Sequence, residues 1–170
     1  MKIILYNAMS VNGTIARENY KEDFLSDYDW HVFCEKANKT GCIATGRKTY
    51  DRILNSRDYN LNDIKRTKII VVSKKSFRDS RNFYFVKSPK EAIKKAKKLG
   101  FKTILLCGGG KINSSFMKLG LVNEIFLNVD PVILSKGIKI FNDSDFEKKL
   151  IFLGVKKLKN GIIQLHYKVR

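Results

Sequence analysis

Three short segments of this 170-residue chain carry the residue types that hold phosphates. Gly46-Arg47-Lys48-Thr49 would set two cations and a hydroxyl on the first turn of a helix, an arrangement suited to a doubly charged phosphate. Ser73-Lys74-Lys75 repeats the pattern where a β-branched run ends. Gly108-Gly109-Gly110-Lys111 joins an apolar run to a helical one, and three glycines there let the backbone approach a ligand and leave amides free for an anion. This is not the dinucleotide fingerprint G-x-G-x-x-G, whose third glycine would fall on Asn113, nor a P-loop, because Ile112 follows Lys111. Each segment alone also reads as a solvated turn or a tight connection; together they ask for a ligand with several phosphates. The candidate acid or base is a carboxylate in Asp27-Tyr28-Asp29-Trp30. Residues two apart on a helix point to different sides, so only one of Asp27 and Asp29 is expected to face a cleft. An N-cap is the competing role for either. Trp30 reads as core, and His31 and His166 as partly buried structural residues.

The elements that must position these groups alternate between strand and helix from end to end, which favours an α/β sheet. Strands are expected over Lys2–Met9, Gly41–Thr45, Lys68–Ser73, Asn82–Val86, Thr103–Cys107, Asn123–Val129, Leu150–Lys157 and Ile162–Val169. Helices are expected over Phe24–Asn38, from near Gly46, after Ser88, and over Lys111–Leu119. Ser88-Pro89-Lys90-Glu91 combines an N-cap serine, proline at the first helical position and glutamate three after the cap. In that helix Ala92, Ile93, Ala96 and Leu99 face inward, Lys94, Lys95, Lys97 and Lys98 face water, and Gly100 stops it. Asn12-Gly13 is a turn signal, and Asn160-Gly161 is a type I′ hairpin pair. Ligands of an open α/β sheet bind outside the carboxyl ends of its strands. The end of the first strand at Ala8-Met9 and the three phosphate-type segments all fall there, so four clusters should converge on one rim.

Length and composition suit one soluble domain, 44% hydrophobic and 29% charged. No apolar run approaches the roughly 18 residues a bilayer span needs, and Asn7, Ser10, Asn12 and Gly13 interrupt the amino-terminal run before a signal-peptide core could form. Neither export nor a membrane partner is expected. The formal charge of +18 could attract polyanions, yet 26 of the 34 cations are lysines, and Lys, Asn and Ile together make 57 of the 170 residues. This is a chain-wide bias, and a solvated surface is preferred over a nucleic-acid partner. Cys34, Cys42 and Cys107 are an odd number with no C-x-x-C pair, and the two histidines lie far apart. A reducing, cytoplasmic setting and no metal are expected.

The clusters together resemble the dihydrofolate reductase-like superfamily, and within it the C-terminal reductase domain of the bacterial bifunctional riboflavin deaminase-reductase. The matching segments are AMSVNGTIA (8–16), GCIATGRKTY (41–50), IIVVSKK (69–75) and ILLCGGGKINSSFMKLGLVNEIFLNVDPVILSKGIKIF (104–141). The resemblance implies a three-layer α/β fold with a mixed, mostly parallel central sheet flanked by helices, and an NADPH cleft across its strand ends. It implies that Ala8 and Ile15 line the nicotinamide and that Asn12-Gly13 belongs to a mobile loop over it. Gly46, Arg47, Lys48 and Thr49 would hold the pyrophosphate and the 2′-phosphate, Ser73 and Lys74 would flank the adenosine end, and Gly108, Gly109, Gly110, Lys111 and Ile112 would meet the pyrophosphate again.

The chain departs from the family at Asn12 and Asn123, where Asp is usual, at Ser135, where Gly is usual, and at Cys107, where Glu usually precedes the glycines. It lacks D-x-P-x-L after GRKT and both zinc signatures of the deaminase half. Asp27 with Trp30 gives the D-x-x-W spacing of folate reductases, whereas a gapless count back from Gly46 puts Asp29 where riboflavin-type reductases often carry an acid. Asp29 ranks first and Asp27 second. The resulting expectation is an NADPH-dependent reductase, assembled as a homodimer, that passes hydride to a pyrimidine or pteridine type of substrate. A folate reductase proper and a non-catalytic polyanion-binding relative are the alternatives.

Overall fold

A computed structural model describes residues 1–55, 59–75, 77–142 and 145–170. Its centre is an eight-stranded sheet built from β1 (Lys2–Ser10), β3 (Cys42–Gly46), β4 (Lys68–Val72), β5 (Phe83–Val86), β6 (Thr103–Leu106), β7 (Glu124–Asp130), β9 (Leu150–Lys157) and β10 (Ile163–Val169). The strand order is β5-β4-β3-β6-β1-β7-β10-β9. The first six run parallel, with Leu5 opposite both Leu106 and Ile125, and β10 and β9 add an antiparallel edge. Parallel strands are covered on both faces, which is why β3, β4 and β6 read as unbroken apolar runs.

Helices make the outer layers. Cys34 and Ala37 of α1 (Asp27–Thr40) pack with Tyr6, Ile43, Val71 and Leu105 on one face, and Tyr50 of α2 (Arg47–Asn55) joins them. Ala92 and Ala96 of α3 (Pro89–Lys98) and Phe116 and Met117 of α4 (Gly110–Lys118) pack with Ile3, Leu5, Ile70, Ile104 and Leu106 on the other. This is the three-layer, mostly parallel α/β architecture expected from the sequence. The Ser88 hydroxyl accepts the Glu91 amide at 3.2 Å, as the capping pattern requires.

The structure also corrects the reading. Helix α1 starts at Asp27 rather than Phe24, because Ser26 caps it: Ser26 Oγ accepts the Asp29 amide, and the Asp29 carboxylate accepts the Ser26 amide, both at 3.3 Å. The capping box is spelled S-x-x-D, with Asp29 where Glu or Gln is the usual partner. His31 is exposed beside Glu35 on the outer face of α1 rather than partly buried, whereas His166 is half-buried against Glu124. A second sheet of β2 (Thr14–Ala16) and β8 (Ile138–Lys139) went unseen, being too short to show alternation. The turn between β9 and β10 holds Asn160 and Gly161 both at positive φ, 58° and 76°, as type I′ geometry demands. No described helix is long and apolar enough to cross a membrane.

Candidate active site

The carboxyl ends of β1, β3, β4 and β6 open into one cavity of about 1040 Å³. Ala8, Ile15, Gly46, Arg47, Lys48, Thr49, Ser73, Lys74, Gly109, Gly110, Lys111 and Ile112 all line it. Three residues named from sequence do not. Gly108 lies beneath the wall, where its carbonyl accepts the Gly46 amide at 3.0 Å and Thr45 Oγ1 at 2.9 Å. Asn12 and Gly13 lie outside the lining, and Asn12 is tied to the opposite loop, donating to the Leu134 carbonyl at 2.8 Å and accepting the Leu134 amide at 3.3 Å. Asn123, another departure from the family pattern, accepts the Ile3 amide at 2.7 Å and so joins β1 to the start of β7.

The glycine run has a steric cause. Gly108 adopts φ +83°, and a Cβ on Gly110 would fall 2.5 Å from both the Lys139 carbonyl and Asn142 Oδ1. Only glycine lets α4 begin this close to the loop after β8. Asn113, at the position of the missing third glycine, donates to Asn7 Oδ1 at 2.9 Å and to the Ile140 carbonyl at 3.0 Å, so it ties α4 to β1. The rim is cationic: Arg47, Lys48, Lys74, Lys75, Lys87 and Lys111 contribute to it. Arg47 is held by an ion pair with Asp51 one turn on, and Lys48 reaches across to the Tyr20 hydroxyl.

Asp27 and Asp29 both line the cavity, which overturns the expectation that only one could. The periodicity argument holds for a cleft running alongside a helix; this cavity meets the amino-terminal end of α1, where successive residues reach it from different azimuths. Their environments differ. Asp27 is exposed at the mouth, whereas Asp29 is 4% exposed. Asp29 Oδ2 accepts the Ser26 hydroxyl at 2.9 Å, and Oδ1 accepts Asn128 Nδ2 at 3.0 Å. Asn128 also donates to Tyr6 Oη at 2.9 Å and accepts Gln164 Nε2 at 2.8 Å. Burial first, and then the Asp29 charge, raise the Tyr6 phenol far above its ordinary range, so it stays neutral. Burial likewise raises Cys107, leaving a neutral thiol in the wall.

Sequence reasoning missed Tyr6, Asn128, Asp130 and Gln164. The available signal was Asn128 and Asp130, two polar residues at strand spacing near the end of an otherwise apolar run. Trp30 packs against the core, as read, and also stands in the cavity wall, donating Nε1 to Asp63 at 2.9 Å and packing on Tyr59. Among the described residues no group of three His, Cys, Asp or Glu side chains could hold a metal.

A three-layer sheet of this order, with glycine and lysine segments at its strand ends and a buried carboxylate under them, defines a dihydrofolate reductase-like domain. The RibD C-terminal domain model matches residues 1–164, and the chain belongs to that family. It is 25% identical over 169 residues to the uncharacterized protein YwjB of Bacillus subtilis, covering 98% of this chain and 97% of that one. The fold is shared with a pyrimidine reductase-like protein of Corynebacterium diphtheriae, at TM-score 0.78 and 15% identity, covering 99% of this chain and 92% of that one. It is shared also with a Thermotoga maritima diaminohydroxyphosphoribosylaminopyrimidine deaminase/5-amino-6-(5-phosphoribosylamino)uracil reductase, at TM-score 0.73 and 14% identity, covering 99% of this chain and 56% of that one.

Proposed function

We propose that this protein is a cytoplasmic NADPH-dependent reductase acting on a pyrimidine or pteridine type of heterocycle. The observation that carries the reading is the convergence of three phosphate-type segments and a buried carboxylate on one cavity. The lining fits a dinucleotide, because the glycines at 109 and 110 bring bare backbone to its wall and seven lysines and arginines line it. Gly46–Thr49 and Gly109–Ile112 would hold the phosphates, Ser73 and Lys74 the adenosine end, and Ala8 and Ile15 the nicotinamide. The cofactor supplies the hydride. The chain's own part is to orient the heterocycle through Asp29, whose carboxylate accepts ring N–H groups, and to keep bulk water from the reacting face. Asp29 takes this role ahead of Asp27 because it is fixed by its partners and desolvated, while Asp27 is in water.

Fluorescence titration with NADPH and NADH tests the reading, tight NADPH-preferring binding being the expected result. Absence of binding to either would remove it. In Arg47→Ala, NADPH affinity should fall about tenfold more than NADH affinity, as expected for one lost charge-assisted contact to a 2′-phosphate. Equal losses would defeat that assignment of Arg47. The assembly we propose is a homodimer joined through the sheet edge, where Leu150, Phe152, Leu153 and Val155 of β9 are 42–58% exposed. Sedimentation should show a dimer that Phe152→Lys converts to a monomer.

A further inference from the structure

We propose that Asp130 is a positioning residue that shares one proton with Asp29 at neutral pH, making the pair the proton source of the reaction. Asp130 closes β7 and is 3% exposed, and its Oδ2 has no hydrogen-bond partner among the described residues. Among the described residues none of the side-chain hydrogen bonds in this cluster ends on Asp130. Asn128 gives its amide protons to Asp29 and Tyr6, Ser26 gives its hydroxyl and amide to Asp29, and Gln164 gives its amide to Asn128.

No ammonium or guanidinium is paired with either carboxyl among the described residues. The Tyr6 phenol of β1 stands beside both carboxyls, the Cys107 thiol after β6 stands beside Tyr6, and the neutral Gln164 of β10 is bonded to Asn128. The Lys36 ammonium of α1 sits over aromatic rings, its Nζ 3.0 Å from the ring centre of Phe126 and 5.7 Å from that of Tyr6, and forms no ion pair with either carboxyl. Two buried carboxyls side by side without a cation resist ionising together, so the second proton is lost only at higher pH, and the donors decide which carboxyl ionises first. Asp29 has the donors and carries the charge; Asp130 has the orphan oxygen and carries the proton, directed at Asp29. Burial first, then the Asp29 charge and hydrogen bond, push Asp130 up to about 7.

The catalytic use of this proton rests on the reductase reading. A C=N bond of the heterocycle gains hydride at carbon, drawn from a dihydronicotinamide that is thereby oxidised by two electrons. The one proton of the pair moves from Asp130 to Asp29, and Asp29, now protonated, passes it to the ring nitrogen. One N–H bond forms, one O–H bond breaks, and the doubly ionised pair recovers a proton from cavity water.

Infrared titration of the ligand-free protein tests the pair without any turnover. The wild type should show the carbonyl stretch of a protonated carboxylic acid at pH 6, where ordinary carboxyls, with pKa values of about 4, are ionised. That band should vanish towards pH 8 and be missing at pH 6 from Asp130→Asn. A wild type without the band, or a variant that keeps it, overturns the proposal; should the variant not fold, the wild-type titration decides alone. In turnover, Asp130→Asn should lower kcat about 10²-fold and abolish its alkaline decline, with Asp130→Glu restoring part of both. If the band behaves as expected while no nicotinamide-dependent turnover is found, the pair stands and the reductase reading fails.

Discussion

Replacing Asp29 by Asn is expected to lower kcat by about 10²–10⁴-fold while dinucleotide affinity stays near that of the wild type. The substitution keeps the shape of the side chain and leaves Ser26 to cap α1, and one amide oxygen can still accept from Ser26, but it removes the charge that orients ring N–H groups. Stopped-flow reduction measured beside an NADPH titration separates the two effects. Asp27→Asn should leave kcat within about threefold, because an exposed carboxylate at the mouth is already solvated. The reverse ranking would hand the role to Asp27 and move the likeness towards folate reductases.

Phe116→Ala is expected to destabilise the fold by about 3–5 kcal/mol. Phe116 is fully buried on α4, in the cluster that includes Ile3, Leu5, Ile104 and Met117, and its removal empties a ring-sized volume between helix and sheet. Urea unfolding should show a lower midpoint at an unchanged slope. A loss below about 1.5 kcal/mol would mean that the layer collapses onto the gap. Because α4 also carries Gly110 and Lys111 into the cavity wall, the variant should bind NADPH more weakly even under conditions where it is folded.

The central strands and α3 were legible in the sequence because their signals are local: a β-branched run in β4, short apolar runs in β3 and β6, and a capping pattern with opposite lysine and alanine faces in α3. The rim was legible too, since strand ends collect ligands whatever the family. The polar cluster behind Asp29 was not. Tyr6, Asp29, Asn128 and Gln164 come from four elements separated by up to 158 positions, and parallel pairing of β1 with β7 is what brings Ala8 opposite Asn128 and Ser10 opposite Asp130. No window along the chain contains that arrangement. The start of α1 failed for a different reason: apolar Phe24 and Leu25 extend the helical spacing past a serine that ends it.

The Gly108 carbonyl, which receives both the Gly46 amide and the Thr45 hydroxyl, makes a rivet between β3 and β6. The first turns of α2 and α4 therefore cannot drift apart when a ligand arrives. If these turns hold phosphates as proposed, two anion cradles fixed at one spacing would act as callipers, selecting for the distance between phosphates rather than for total charge. Inorganic polyphosphates and single-stranded nucleic acids, however strongly drawn to a +18 surface, would then gain nothing there unless their anions fell at that distance. A chain so generally basic can thereby keep its cavity discriminating while its exterior remains indifferent.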